Sequence, residues 1–117
     1  MVFQRVSENV FAVVGLPAHA NVTAFVLPNK VVLVDCGIQL SAAKKTRREI
    51  EEISKREVEM IILTHFHSDH TGALPAFSDC RIISSKLLLK NLKQAGRKVP
   101  TGVRQTLPSE TFDRQLE

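Results

Sequence analysis

The run Val58-Glu59-Met60-Ile61-Ile62-Leu63-Thr64-His65-Phe66-His67-Ser68-Asp69-His70 decides the reading of this chain. Its first six residues are mostly apolar, the composition of a strand buried inside a sheet. The strand runs straight into three of the chain's four histidines, with an aspartate among them. Side chains at i and i+2 of an extended segment share a face, so His65 and His67 point the same way. Asp69 continues that period if the backbone stays extended, and His70 swings its ring back from the next element. Two imidazoles, a carboxylate and a third imidazole then surround one small volume at the end of a strand. Open α/β sheets carry their sites there.

Upstream, the first third reads as antiparallel strands. Val10–Val14 is apolar and β-branched and ends at the turn Gly15-Leu16-Pro17. Residues 21–27 and 31–35 flank the short reversal Pro28-Asn29-Lys30 and form a hairpin. A helix follows, with Ser41 as its N-cap and Ala43, Thr46, Ile50 and Ile53 on one face. Its charged face offers Glu51–Lys55 and Glu52–Arg56 pairs in the favourable order.

Downstream, Thr71–Phe77 reads as a short helix with Pro75 in its first turn. Arg81–Ser84 is a strand, and Ser85–Ala95 a Leu-rich amphipathic helix closed by Gly96. Alternating strands and helices joined by short loops make the fold α/β, a mixed sheet with helices on one face. Residues 1–96 form this layered unit. Residues 97–117, broken by Pro100, Gly102 and Pro108, read as a loop-rich tail, with an incomplete strand from Thr111 to Leu116 and nothing to pair it.

Composition narrows the classes. At 117 residues, with 44% apolar and 24% charged residues, the chain is long enough and apolar enough for one packed domain. No apolar run approaches the length of a membrane span, and Met1–Arg5 has no signal-peptide core, so a cytoplasmic location and no membrane partner are expected. Cys36 and Cys80 read as reduced structural thiols rather than a disulfide or a zinc knot. Lys86, Lys90, Lys93, Arg97 and Lys98 form a basic stretch at helical spacing. With no Trp or Tyr in the chain, it reads as a solvated face, and a nucleic-acid partner is not expected.

The histidine cluster has the chemistry of a metal site. Neutral imidazoles and a carboxylate suit zinc, and also iron or manganese, with no thiolate required. A catalytic ion keeps an open position and lowers the pKa of its water toward roughly 7. Asp69 beside it is a candidate ligand and the candidate catalytic base. A histidine-rich surface loop is the bland alternative, but residue types, spacing and position after a strand agree on metal.

Thr64–Ala73 resembles the H-x-H-x-D-H signature of the metallo-β-lactamase superfamily, and Val31-Val32-Leu33-Val34-Asp35-Cys36-Gly37 resembles its upstream strand ending in an acid. The likeness covers about residues 8–95. It implies half of an αβ/βα sandwich, with His65 and His67 on a first metal and Asp69 and His70 on a second. Asp35 would order the site through hydrogen bonds to ligating histidines. Read without the family, Asp35 simply closes a buried strand before a glycine turn. His67 stands where similar di-iron flavoproteins carry Glu, which favours hydrolysis, as in the glyoxalase II-like branch.

The implied activity is zinc-dependent hydrolysis of a small-molecule ester, thioester or lactam by metal-bound hydroxide. A nuclease of the same superfamily and a non-catalytic metal-binding or interaction module stay open. The family's second half supplies further ligands. A complementary C-terminal half or a second copy in a homo-oligomer is therefore the expected partner. His19, in the loop after the first predicted strand, reads as a substrate contact or an exposed loop residue.

Overall fold

A computed structural model of the protein describes residues 2–94 and 106–114. Seven strands form one sheet in strictly sequential order: β1 (Val2–Ser7), β2 (Val10–Val14), β3 (Val22–Val26), β4 (Val31–Val34), β5 (Val58–Ile62), β6 (Arg81–Ser85) and β7 (Glu110–Phe112). The first four pair antiparallel and the last four parallel. Helix α1 (Leu40–Ser54) joins β4 to β5, while α2 (Ser68–Thr71) and a 3-10 turn (Leu74–Phe77) join β5 to β6. Helix α3 (Lys86–Gln94) follows β6. The parallel strands advance in one direction across the sheet. Right-handed crossovers therefore put all of these connections on one face.

That face is the core. Leu33, Ile61 and Ile82 face it in register from β4, β5 and β6. They are buried with Ile50 of α1, Leu74 and Phe77 of the 3-10 turn, and Leu88 and Leu92 of α3. Arg47 fastens α1 to this layer. Its guanidinium donates to both oxygens of Asp79 at 2.6 and 2.7 Å and to the Ala76 carbonyl at 3.1 Å, and it lies 5.6 Å from the Phe77 ring centre. The hydrogen bond from Arg47 holds the Asp79 carboxyl below its ordinary range. Cys36 and Cys80 are buried and not joined in a disulfide, and burial pushes the Cys80 thiol up to about 11.

The other sheet face is apolar and less covered. Cross-strand pairing places Ala12, Thr23, Val34 and Ile62 in one row, with Phe25 and Met60 in the next. These are half-buried or exposed, Phe25 by 38%, while Val32 between Phe25 and Met60 is buried. No helix among the described residues is long and apolar enough to cross a membrane.

Several expectations need correction. Helix α1 starts at Leu40 with Gln39 as N-cap, so Ser41 lies inside its first turn. It ends at Ser54, with Lys55 in the left-handed conformation, so no helical pairs reach Lys55 or Arg56. Glu51 instead pairs with Arg47 at 3.4 Å and accepts the Val58 N–H at 2.8 Å. Ile53 is 56% exposed while Ile50 is fully buried. At 3.6 residues per turn it lies about 50° off the centre of the buried face, in the last turn. Ile50→Ala should therefore cost about 3 kcal/mol, against less than about 0.5 kcal/mol for Ile53→Ala, measured by urea denaturation.

The stretch 71–77 is not one helix, since Gly72 and Ala73 separate α2 from the proline-led turn. Strand β1 was not expected, because Gln4 and Arg5 hide its pattern. The Thr111 segment does find a partner: β7 pairs parallel with β6, with Arg81 gripping Glu110 at 2.6 and 2.7 Å. The predicted end of α3 at Ala95 and Gly96, and loop residues 97–105, lie outside the described residues.

Candidate metal centre

The site is built where β4 and β5 stop side by side. The Asp35 N–H still bonds the Ile62 carbonyl at 2.8 Å, and Asp35 then turns the chain with φ 64°. Aspartate tolerates this left-handed conformation better than most residues. The turn leaves its side chain 94% buried under the end of β5. Each of its oxygens is used. Oδ1 accepts the Thr64 N–H at 2.8 Å, while Oδ2 accepts the Thr64 hydroxyl at 2.6 Å and faces His70 Nδ1 at 2.7 Å.

These contacts assign two histidine tautomers. A carboxylate only accepts, so His70 donates its Nδ1–H to Asp35, which leaves the lone pair on Nε2. The Thr64 hydroxyl has one proton, committed to the stronger acceptor Asp35. At 2.9 Å from His65 Nδ1 that oxygen can then only accept, so His65 Nδ1 carries its proton and Nε2 is again free. One carboxylate and one hydroxyl thus set the tautomers of both rings.

Helix α2 brings in the rest. His67 is its N-cap, and the Thr71 hydroxyl reaches the carbonyls of Phe66 and His67 at 3.1 and 3.0 Å. Asp69 therefore sits in a helical turn and not on an extended strand, which corrects the period-two expectation. It still converges: its Oδ2 lies 3.4 Å from His70 Nε2, the nitrogen left free by Asp35. The loop after β4 clamps α2 from below. The Cys36 N–H donates to the His70 carbonyl at 3.1 Å, and the Ala73 N–H to the Gly37 carbonyl at 3.0 Å.

The rings of His65 and His67 are 4.9 Å apart, and those of His65 and His70 are 4.0 Å apart. Donor atoms of His65, His67 and Asp69 lie within 4.8 Å of one another, and so do those of Asp35, His65 and His70. In the second group both Asp35 oxygens are already engaged, by Thr64 and His70. The structure thus brings His65, His67, Asp69 and His70 together, with Asp35 beneath them. The backbone of His19 belongs to the 3-10 turn Pro17–His19, which packs against α2, while its side chain lies outside the described residues. Sequence reasoning missed Thr64, Thr71 and the backbone of Cys36. Only hydroxyls flanking the cluster hinted at the first two.

Comparison with known proteins agrees with this geometry. The family model described as the metallo-beta-lactamase superfamily matches residues 15–86. Among curated proteins, a linear primary-alkylsulfatase from a Pseudomonas species is 30% identical over 80 residues, 62% of this chain and 15% of its own length. A probable RNase from Methanocaldococcus jannaschii is 35% identical over 66 residues, 53% of this chain and 15% of that protein. The solved metallo-β-lactamase from Hirschia baltica superposes with a TM-score of 0.78 at 15% identity, over 98% of this chain and 53% of that one. The metallo-β-lactamase FIM-1 from Pseudomonas aeruginosa, solved in a mono-zinc form, gives 0.76 at 13% identity over 95% and 50%. This chain thus spans about half the length of the solved structures and a small part of the curated relatives.

Proposed function

We propose, from the premise that this chain belongs to the metallo-β-lactamase superfamily, that it carries the first half of a metal-dependent hydrolase site. The observation that supports this most is the preparation of His65 and His70. Each ring is hydrogen-bonded on Nδ1, which leaves its Nε2 lone pair for a metal, and His70 Nε2 lies 3.4 Å from Asp69 Oδ2. Three imidazoles and a carboxylate without thiolates fit zinc, and iron and manganese take the same donors. His65 and His67 would hold one ion, and Asp69 and His70 a second.

A bound ion would supply Lewis acidity and acidify a coordinated water. The protein's own part is to fix the donors and place a proton acceptor. Asp69, 38% exposed against 6% for Asp35, is the carboxylate within reach of solvent and substrate. It is suited to ligate or to take a proton from the attacking water. The substrates proposed are small esters, thioesters or lactams. The names of the relatives add sulfate esters and RNA phosphodiesters to the classes worth testing. Two buried cysteines not joined in a disulfide agree with a reducing compartment such as the cytoplasm.

A catalytic zinc takes three protein ligands, and these four residues divided between two ions leave each short. The half-exposed apolar sheet face calls for cover as well. We assign both roles to one partner, a complementary half of the sandwich or a second copy of this chain. Sedimentation distinguishes these, since a second copy requires a dimer.

Removing His67 tests the metal reading directly. Zinc retained after dialysis should fall at least about tenfold in His67→Ala relative to wild type, with the far-UV spectrum unchanged. Equal traces of metal in both proteins would sink it.

A further inference from the structure

The charges of this chain are sorted by sequence and then by topology. From Cys80 to Ser109 there are seven basic residues and no acidic one. In the described part, Lys86, Lys90 and Lys93 lie on one exposed stripe of α3, opposite the buried Leu88 and Leu92. No carboxylate pairs with any of the three among the described residues, whereas Arg47 and Arg81 are each paired.

Topology sets where this stripe begins. Helix α3 leaves the C-terminal end of β6, the same sheet edge at which β4 delivers Asp35 and β5 delivers His65. Helix α1 also starts at that edge, with Lys44, Lys45 and Arg48 exposed in its first half. The acids collect at the opposite edge, where Glu51, Glu57, Glu59 and Asp79 line one cavity with Lys30, Arg47 and Arg81. Among the described residues, the exposed Lys44, Lys45 and Arg48 of α1 and Lys86 of α3 thus lie on helices that start at the end of the sheet carrying the histidine cluster.

We propose that the α3 stripe is a docking surface for the phosphodiester backbone of a nucleic-acid strand, which it leads to the histidine cluster. The three lysines advance along the helix by about 6 and about 4.5 Å, each presenting a point charge to successive phosphates. With no Trp or Tyr in the chain and no aromatic residue on the stripe, recognition is of backbone and not of base. A single exposed leucine, Leu87, gives too little apolar surface for a membrane-seated helix. A strand bound here is a substrate only if the cluster is hydrolytic, but its binding needs no metal.

The test is fluorescence anisotropy of labelled oligouridylate in EDTA. Wild-type protein should bind with strong salt dependence. The double variant Lys86→Gln/Lys90→Gln should bind at least about tenfold more weakly at low salt, with a log–log salt slope shallower by about 1.4. Lys30→Gln/Lys55→Gln, with equal charge loss at the far edge, should bind within about threefold of wild type. The assay contains no metal, so failure of the hydrolase reading leaves this result standing. Equal losses in the two double variants would overturn the proposal. So would salt-independent binding, or preference for phosphatidylserine vesicles over the oligonucleotide.

Discussion

Asp35→Asn is expected to keep the fold and lose the metal. Asparagine tolerates the left-handed φ of 64° at this position, and its carbonyl can still accept the Thr64 N–H. Its amide then stands where Oδ2 stood, facing the Thr64 hydroxyl and His70 Nδ1. It donates where the carboxylate accepted. His70 must answer with a lone pair on Nδ1, which moves its proton to Nε2, the atom beside Asp69. Zinc affinity should fall about 10- to 100-fold, while stability drops by about 1 kcal/mol. Asp35→Ala strips the partner from three donors at once and should cost about 3 kcal/mol or more. Nitrogen-15 shifts of the His70 ring report the tautomer directly. A ring in Asp35→Asn that still carries its proton on Nδ1 would refute the account.

Gly72→Ala should be nearly as damaging, for a steric reason. Its backbone is ordinary right-handed helix, so no conformational freedom is at stake. An added Cβ would lie 2.7 Å from the Ser68 carbonyl oxygen and 2.9 Å from that of Ile38. Both are backbone atoms, and neither can rotate away. Relief requires α2 to lift off the loop after β4, which carries Asp69 and His70 away from His65. A loss of about 3 kcal/mol is expected, together with weaker zinc binding. Gly37 provides the contrast. Its φ is +82°, but a Cβ there meets nothing closer than 3.9 Å, so Gly37→Ala should cost only about 1 kcal/mol of backbone strain. Equal urea midpoints for Gly72→Ala and wild type would show that α2 is not seated as described.

What was legible in the sequence follows from what is local. Val31–Val34 and Val58–Ile62 announce themselves because they are the central strands, with apolar side chains on both faces of the sheet. Strand β7 has three residues, and its partner, β6, lies more than twenty positions upstream in the chain. No periodicity reveals such a pairing. Strand β1 mixes Gln4 and Arg5 into an edge, where one face meets water. The histidines were legible because few contexts need so many imidazoles together. Thr64 was not, because its role exists only once Asp35, 29 residues away, meets it. The division of labour within the cluster, with Asp35 orienting and Asp69 exposed, is likewise a product of tertiary contact.

The sequential order of the strands has a consequence for how the sheet is made. Every strand pairs with the one preceding it in the chain, so none must be inserted later between two already joined. Each pairing closes only the segment between two consecutive strands, so loop-closure entropy is spent one connection at a time. During synthesis, the antiparallel β1–β4 meander can form as soon as Val34 has left the ribosome, and it offers an edge to which β5 adds. The histidines follow directly behind β5, so Asp35 can be in place before Thr64 and His70 reach it.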